Sequence, residues 1–481
     1  MRYKKAAAAV LAAAMAVQVL GGCSENKVKL DPANPTVISV WHYYNGAQKE
    51  AFDALIDEFN STVGTEVGII VQGTSYSDVG ALEDAVKSAA EEGADKLPSI
   101  FAAYSDMAYA IEEKGMLAEL DGYFTNEELS EYVDGFIDEG RFSEDSKLMI
   151  FPVAKSTEVF ILNKTDWDKF AEATGADISE LETKEGLVRI SKQYYQWTDS
   201  LTPDIPDDGK AFYGRDAMPN LFTAGLMQLG TEIFAAENGN VTINADKENL
   251  RKIWDCYYVP YINGWFSSYG RFRSDDVKIG QICALTGSSA SATYFPKQVM
   301  TDEASYPIEA LTLPVPVFEG GKAYAVQQGA GMAVAKSTPS CEYASVEFLK
   351  WFTESERNLK FACLSGYMPV KKEANEEALL MKAVNDMDAA DTVPVETLKV
   401  CFDIAAKNEM YTYKAFSGAG SARSVLNDNL SDKAAADSEK VNQMVAEGMS
   451  RAEAAALFDT DENFEEWYNG FCAALNEACG K

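Results

Sequence analysis

The chain has 481 residues, 47% of them hydrophobic and 24% charged, with a formal net charge of -33. That length exceeds what one hydrophobic core supports and predicts two domains of ordinary globular composition. The acidic balance excludes nucleic acid as a partner and adsorption of the folded part to an anionic membrane, but it leaves room for a small anionic ligand that needs only one or two local cations.

Arg2, Lys4 and Lys5 precede an apolar run from Ala6 to Leu20. The run is too short to cross a bilayer comfortably and reads as a secretory signal peptide over residues 1–22. It ends in Leu20-Gly21-Gly22-Cys23, which resembles the lipobox of bacterial lipoproteins, in which the cysteine after the cleavage point is diacylated. Residues 23–35 are too polar to pack and read as a tether. Export and lipid anchoring through Cys23, on the extracellular face of the cell membrane, are therefore expected. The other seven cysteines are scattered without metal-like spacing, and free thiols are expected for most of them.

Val37 to Trp41 reads as a strand, followed by a helix with Phe52, Leu55, Ile56 and Phe59 on one face. Val67 to Val71 and Pro98 to Ala103 repeat the pattern of strand, polar loop and helix, which predicts an open α/β sheet. Loops 42–46, 73–76 and 104–106 fall at the carboxyl ends of these strands, where such sheets bind ligands. Residues 151–164 place a polar step, Lys155-Ser156-Thr157, between two apolar runs. Two readings fit: a chain passing from one core into another, or a strand–loop–strand within one domain. The stretch by itself leaves both open. Residues 201–216 are rich in Pro, Asp and Gly and read as a loop. Val277 to Leu285 reads as a strand running into Thr286-Gly287-Ser288-Ser289. Ile308 to Val317 is strand-like, Tyr324 to Val334 contains Gly329-Ala330-Gly331, and the remainder is mainly helical and acidic.

The chain contains a single histidine, His42. A serine hydrolase triad would have to use it, and no Gly-x-Ser-x-Gly elbow accompanies it. A zinc site built from several histidines is excluded, and no phosphate-binding loop of the Gly-x-x-x-x-Gly-Lys-Ser/Thr type occurs. His42 therefore reads as a loop or core residue. No cofactor or metal is expected, and no carboxylate pair stands out for glycoside hydrolysis.

Several pieces in this order carry a resemblance: Val40-Trp41-His42, Phe59-Asn60, Leu97-Pro-Ser-Ile100, residues 151–164 and 280–289, LPVPVFEGGK at 313–322, GAGMAVAKS at 329–337, FLKWFT at 348–353 and GYMPV at 366–370. Together they resemble the extracellular solute-binding lipoproteins of bacterial ABC importers, the family that includes the maltose- and glycerol-3-phosphate-binding proteins. The resemblance implies an α/β, two-lobed periplasmic-binding-protein-like fold with crossing hinge segments. The first lobe would span 36–155 plus part of 310–350, and the second 156–309 plus much of 351–481. It also implies a non-enzymatic, monomeric receptor that closes on a polar carbohydrate-type solute (a sugar, glycerol 3-phosphate or a glycerophosphodiester) and delivers it to ABC permease subunits. A surface glycoside hydrolase and an adhesin-like lipoprotein are the alternatives. By likeness to the glycerol-3-phosphate-binding branch, ligand contacts would come from Tyr76, Ser156, Ser288 or Ser289, Gly329, Tyr367 and Arg423. The family's glutamate for the glycerol hydroxyls falls on Ser105, with Asp106 beside it. That departure argues against glycerol 3-phosphate itself and leaves a glycerophosphodiester or a sugar open.

Overall fold

The computed structural model describes residues 28–76, 78–142, 145–237, 240–302, 304–387 and 392–481. The segment read as a signal peptide, Cys23 and the first part of the expected tether lie outside these residues. Strand Thr36–His42 (β1) buries Ile38, Val40 and His42 at alternate positions, as a pleated strand requires. Helix Gly46–Ser61 (α1) follows with Phe52, Leu55, Ile56 and Phe59 buried. Next come Ile69–Ser75 (β2), Val79–Glu92 (α2), Ile100–Ala103 (β3), Ser105–Glu112 (α3), Asp134–Glu139 (α4) and Ile150–Phe151 (β4). The chain continues through Glu158–Asn163 (β5), Lys184–Ser200 (α5), Tyr213–Arg215 (β6), Met218–Gln228 (α6), Lys247–Ile262 (α7), Ala284–Ser288 (β7) and Ala310–Pro314 (β8). Tyr324–Gln327 (β9), Gly331–Val334 (β10), Pro339–Phe352 (α8), Ser355–Ser365 (α9) and Val393–Lys407 (α10) follow. Glu409–Thr412 (β11), Ala419–Ala446 (α11) and Asp461–Ala478 (α12) complete the elements that matter here.

Two sheets organise the molecule into two α/β lobes. The first has the order β2-β1-β3-β10-β4, parallel among its first three strands and antiparallel where β10 returns between β3 and β4. The second has the order β8-β5-β7-β6. The chain leaves the first sheet at β4 and enters the second at β5, so residues 152–157 form a crossing. It comes back through β8, β9 and β10. The two crossings touch: Ser156 N donates to Gln328 O at 2.7 Å and Gln328 N to Ser156 O at 2.9 Å. A third connection is added by β9 and β11, paired in parallel.

Two expectations were displaced. Tyr213–Arg215 is a buried strand inside the stretch read as a loop. It is only three residues long, and Gly209 and Asp216 mask it on either side. Val277 lies in a short helix, Arg273–Lys278, and the strand begins only at Ala284. Helix and strand cannot be told apart by periodicity in so short an apolar run.

Candidate functional site

The crossing is fastened at both ends by buried charge. Lys155 Nζ lies 2.6 Å from Glu139 Oε2 on α4, with side-chain exposures of 2% and 8%, and it also donates to Gly329 O. Lys155 is thus committed within the protein. Glu158 receives Arg215 Nη2 at 2.8 and 3.0 Å and Asn220 Nδ2 at 3.0 Å. Asn220 Nδ2 also reaches Gln328 Oε1 at 2.9 Å. Ser156 and Thr157 sit between these anchors, both buried.

Gly329 packs against the crossing. Its φ of +93° suits only glycine, and a Cβ there would meet Ala154 O and Ser156 N at 3.0 Å. Beside it, Tyr43 Oη accepts Ala330 N–H at 3.3 Å and the Tyr367 hydroxyl at 3.5 Å. Tyr104 lies within hydrogen-bonding reach of Tyr43. Burial pushes all three phenols up, so they remain neutral hydroxyl donors at physiological pH.

Arg423, near the start of α11, places its guanidinium 5.0 Å from the ring centroid of Tyr104 and 5.8 Å from that of Tyr413. Among the described residues no carboxylate lies within ion-pair distance of it, although Glu83 is near enough to feel its charge. Burial, followed by Asp106, raises the Glu83 carboxyl, against the pull of Lys87 and Arg423. Asp106 Oδ1 accepts Met107 N–H at 2.9 Å, and Ser105 Oγ donates to Tyr413 O at 3.2 Å. Tyr76, just past β2, has its ring centroid 5.2 Å from that of Trp41. Ser288 caps the turn after β7 by accepting Ala290 N–H at 3.3 Å. Ser289 is fully buried and donates its N–H to Thr157 O at 2.8 Å.

The structure thus joins Gly329, Tyr367 and Arg423 through Tyr43 and Tyr104, sets Ser156 against Gly329, and places Ser105 and Asp106 beside Tyr413 and Arg423. Ser105 spends its hydroxyl on a backbone carbonyl, and Tyr76 connects with this group only through strand β1. Sequence reasoning missed Tyr413, Glu158, Arg215, Asn220 and Gln328. Glu158 begins a strand of wholly buried residues, and its charge there was the one available signal. His42 is a core residue: Nδ1 accepts Tyr44 N–H at 3.2 Å, its ring meets Phe52 edge-on at 4.7 Å, and burial lowers its pKa to about 4. Among the described residues no group of acids, histidines or cysteines could hold a metal, the seven cysteines are unpaired, and no helix is long and apolar enough to cross a membrane.

Known structures share this architecture. The cyclic alpha-maltosyl-1,6-maltose binding protein of Arthrobacter globiformis is 19% identical with a TM-score of 0.65, the match covering 93% of this chain and 99% of that one. UgpB from Mycobacterium tuberculosis, in complex with glycerophosphocholine, is 16% identical with a TM-score of 0.65 over 92% and 99% of the two chains. An ABC substrate-binding protein of Listeria monocytogenes in complex with cycloalternan is 16% identical with a TM-score of 0.65 over 93% and 100%. At these identities the likeness establishes the two-lobed fold. No match is found among curated proteins. The family model for bacterial extracellular solute-binding proteins matches residues 54–389, more than half of the chain, and the protein belongs to that family.

Proposed function

We propose that the protein captures a small polar solute of carbohydrate or glycerol-phosphate type between its lobes and delivers it, without chemical conversion, to an ABC permease. The observation that carries this reading is Arg423. Its guanidinium is held over two tyrosine rings and is free of any ion pair among the described residues, beside three protonated tyrosine hydroxyls and the glycine at the crossing. An unpaired arginine fork with neutral hydroxyl donors suits an anionic oxygen group such as a phosphodiester. Ser156, Ser288, Ser289, Asp106 and Tyr76 complete the proposed contacts, Tyr76 with Trp41 offering an aromatic surface for a sugar ring. The lobes would divide at the crossing near residues 155 and 156, and the protein would act as a lipid-anchored monomer through Cys23. Family membership and the binding proteins that share the fold argue against the surface hydrolase.

Contacts that join the lobes include Arg271 Nη2 to Asp78 Oδ2 at 2.6 Å and Tyr294 Oη to Asn45 Oδ1 at 2.7 Å. Such contacts fit a closed form that a bound solute would favour. Titration calorimetry against maltodextrins, glycerol 3-phosphate and glycerophosphodiesters tests the reading. For a phosphodiester, Arg423→Ala should cost about 10- to 100-fold in affinity, the worth of hydrogen bonds to a charged group. Unchanged affinity would remove the phosphate version, and a folded protein that binds none of the panel would remove the receptor.

A further inference from the structure

A cavity of about 380 Å³ lies at the hinge, and none of the nine candidate ligand positions lines it. Its walls come from every connection between the lobes: Thr157 and Glu158 of the first crossing, Pro314 and Val326 of the return, and Asn408 just before β11. Neither Ser156 nor Gly329 is among its lining residues, so the cavity is a separate feature from the group around them.

Most of the lining is aliphatic, with Leu181, Leu221, Leu313, Val317 and Val326 among it, while one end is polar. There Thr157 Oγ1 is fully buried and has no hydrogen-bond partner among the described residues. A native structure seldom leaves a hydroxyl in that state, because its desolvation goes uncompensated. Two buried cations, Lys184 and Arg215, line the cavity against one buried carboxylate, Glu158. Arg215 is neutralised by Glu158, which leaves Lys184 as a buried cation with no carboxylate at ion-pair distance among the described residues; Glu182, the other acid of the lining, is exposed. Lys184 Nζ donates to the Pro316 carbonyl and lies 5.1 Å from the centroid of the Phe318 ring, with Glu158 and Glu185 near enough for their charges to act on it. Burial and the Arg215 charge press the ammonium down to about 8, a pressure that a bound anion would relieve.

An occupant matched to this lining has one negative charge, an acceptor for the Thr157 hydroxyl and an aliphatic body, and the volume lies within the range of small-ligand sites. We propose that this hinge cavity is a second ligand site, for a short-chain aliphatic monocarboxylate, separate from the solute site between the lobes. The carboxylate pairs with Lys184 and accepts from Thr157, and the chain lies along the aliphatic wall.

Sodium hexanoate is the probe, titrated calorimetrically into the full-length protein, with 1-hexanol as the uncharged arm. Saturable one-site binding of hexanoate is expected, at least tenfold tighter than that of hexanol. Thr157→Val, which removes an unpartnered hydroxyl and keeps the shape, should fold at least as stably and bind hexanoate about tenfold more weakly. Ala224→Phe, which fills the cavity from α6, should abolish binding; if that variant does not fold, Thr157→Val decides. The absence of saturable binding, or hexanol binding as tightly as hexanoate, would overturn the proposal. So would hexanoate binding that survives both cavity variants and is lost in Arg423→Ala, because the carboxylate would then lie on the arginine beside Tyr104.

Discussion

The two ends of the crossing are anchored by the same device built in opposite polarity. At the first end the crossing supplies the cation, and Lys155 meets Glu139 and the Gly329 carbonyl. At the second it supplies the anion, and Glu158 meets Arg215 and Asn220. Neighbouring glutamines of the return crossing serve opposite anchors: Gln327 Nε2 donates to Glu139 Oε2 at 2.7 Å, and Gln328 Oε1 accepts from Asn220 at 2.9 Å. Successive side chains of an extended segment point to opposite sides, so one dipeptide can reach both lobes. The difference between the ends lies in what each can do when broken. A lysine can shed its proton when its partner is lost, whereas an arginine stays charged in any environment.

That contrast gives the largest expected effect. Glu158→Ala strands the Arg215 guanidinium, whose side chain is only 4% exposed, and should lower stability by about 3–5 kcal/mol in denaturant titrations. Glu139→Ala leaves Lys155 its bond to Gly329 O and the option of neutrality, and should cost about half as much. Equal losses would show that the polarity of the anchors is immaterial.

The same contrast explains how much of the molecule was legible beforehand. The strand–loop–helix repeats of the first lobe are local patterns, and Phe52, Leu55, Ile56 and Phe59 land on the buried face of α1 as their spacing dictates. The crossing was legible because Lys155-Ser156-Thr157 breaks two apolar runs. Its function was not, because the partners of Lys155 and Glu158 are distant in sequence: Glu139 sits 16 residues away and Arg215 57. Arg215 was hidden further in a three-residue strand between turn residues. Among the candidate ligand residues, Gly329 stands out in the sequence within a Gly-Ala-Gly run, and its positive φ is one that glycine adopts without strain. The cradle that Tyr104 and Tyr413 form under Arg423 brings together residues from α11 and from the ends of β3 and β11, which no local pattern encodes.

The lobes also differ in how they meet acid. His42 ends β1 fully buried, with Nε2 unpartnered, and burial holds its pKa at about 4 against an ordinary 6.5. Asp216, just after β6, is pushed up by burial to about 6. The neutral imidazole contributes fully above pH 6.5; that contribution falls as the unfolded chain gains a proton and is gone below pH 4, a loss of about 3 kcal/mol. Asp216 has the opposite sign: its protonated form favours folding at low pH, and the contribution fades as pH rises through 6. Hydrogen exchange read lobe by lobe should therefore show protection around β1 falling between pH 6.5 and 4 while protection around β6 holds or rises. His42→Asn should flatten the first trend and leave the second. Parallel trends in both lobes would mean that these two groups do not govern them.

The smallest effect tests the division of labour between the glutamines. Gln327→Leu removes donors to Glu139 and to Gly135 O, and Gln328→Leu removes the acceptor for Asn220; each should cost about 1 kcal/mol. The informative measurement is the double-mutant cycle. Residues that share a network couple by about 0.5–3 kcal/mol, and independent sites add. Gln327→Leu should couple to Glu139→Ala and add with Glu158→Ala, and Gln328→Leu should do the reverse. Both glutamines coupling to both acids would make the two anchors one network, and the hinge would then transmit a break at one lobe directly to the other. Selective coupling keeps them separate, so that Ser156 and Thr157 lie between two fixed points, each held to its own lobe.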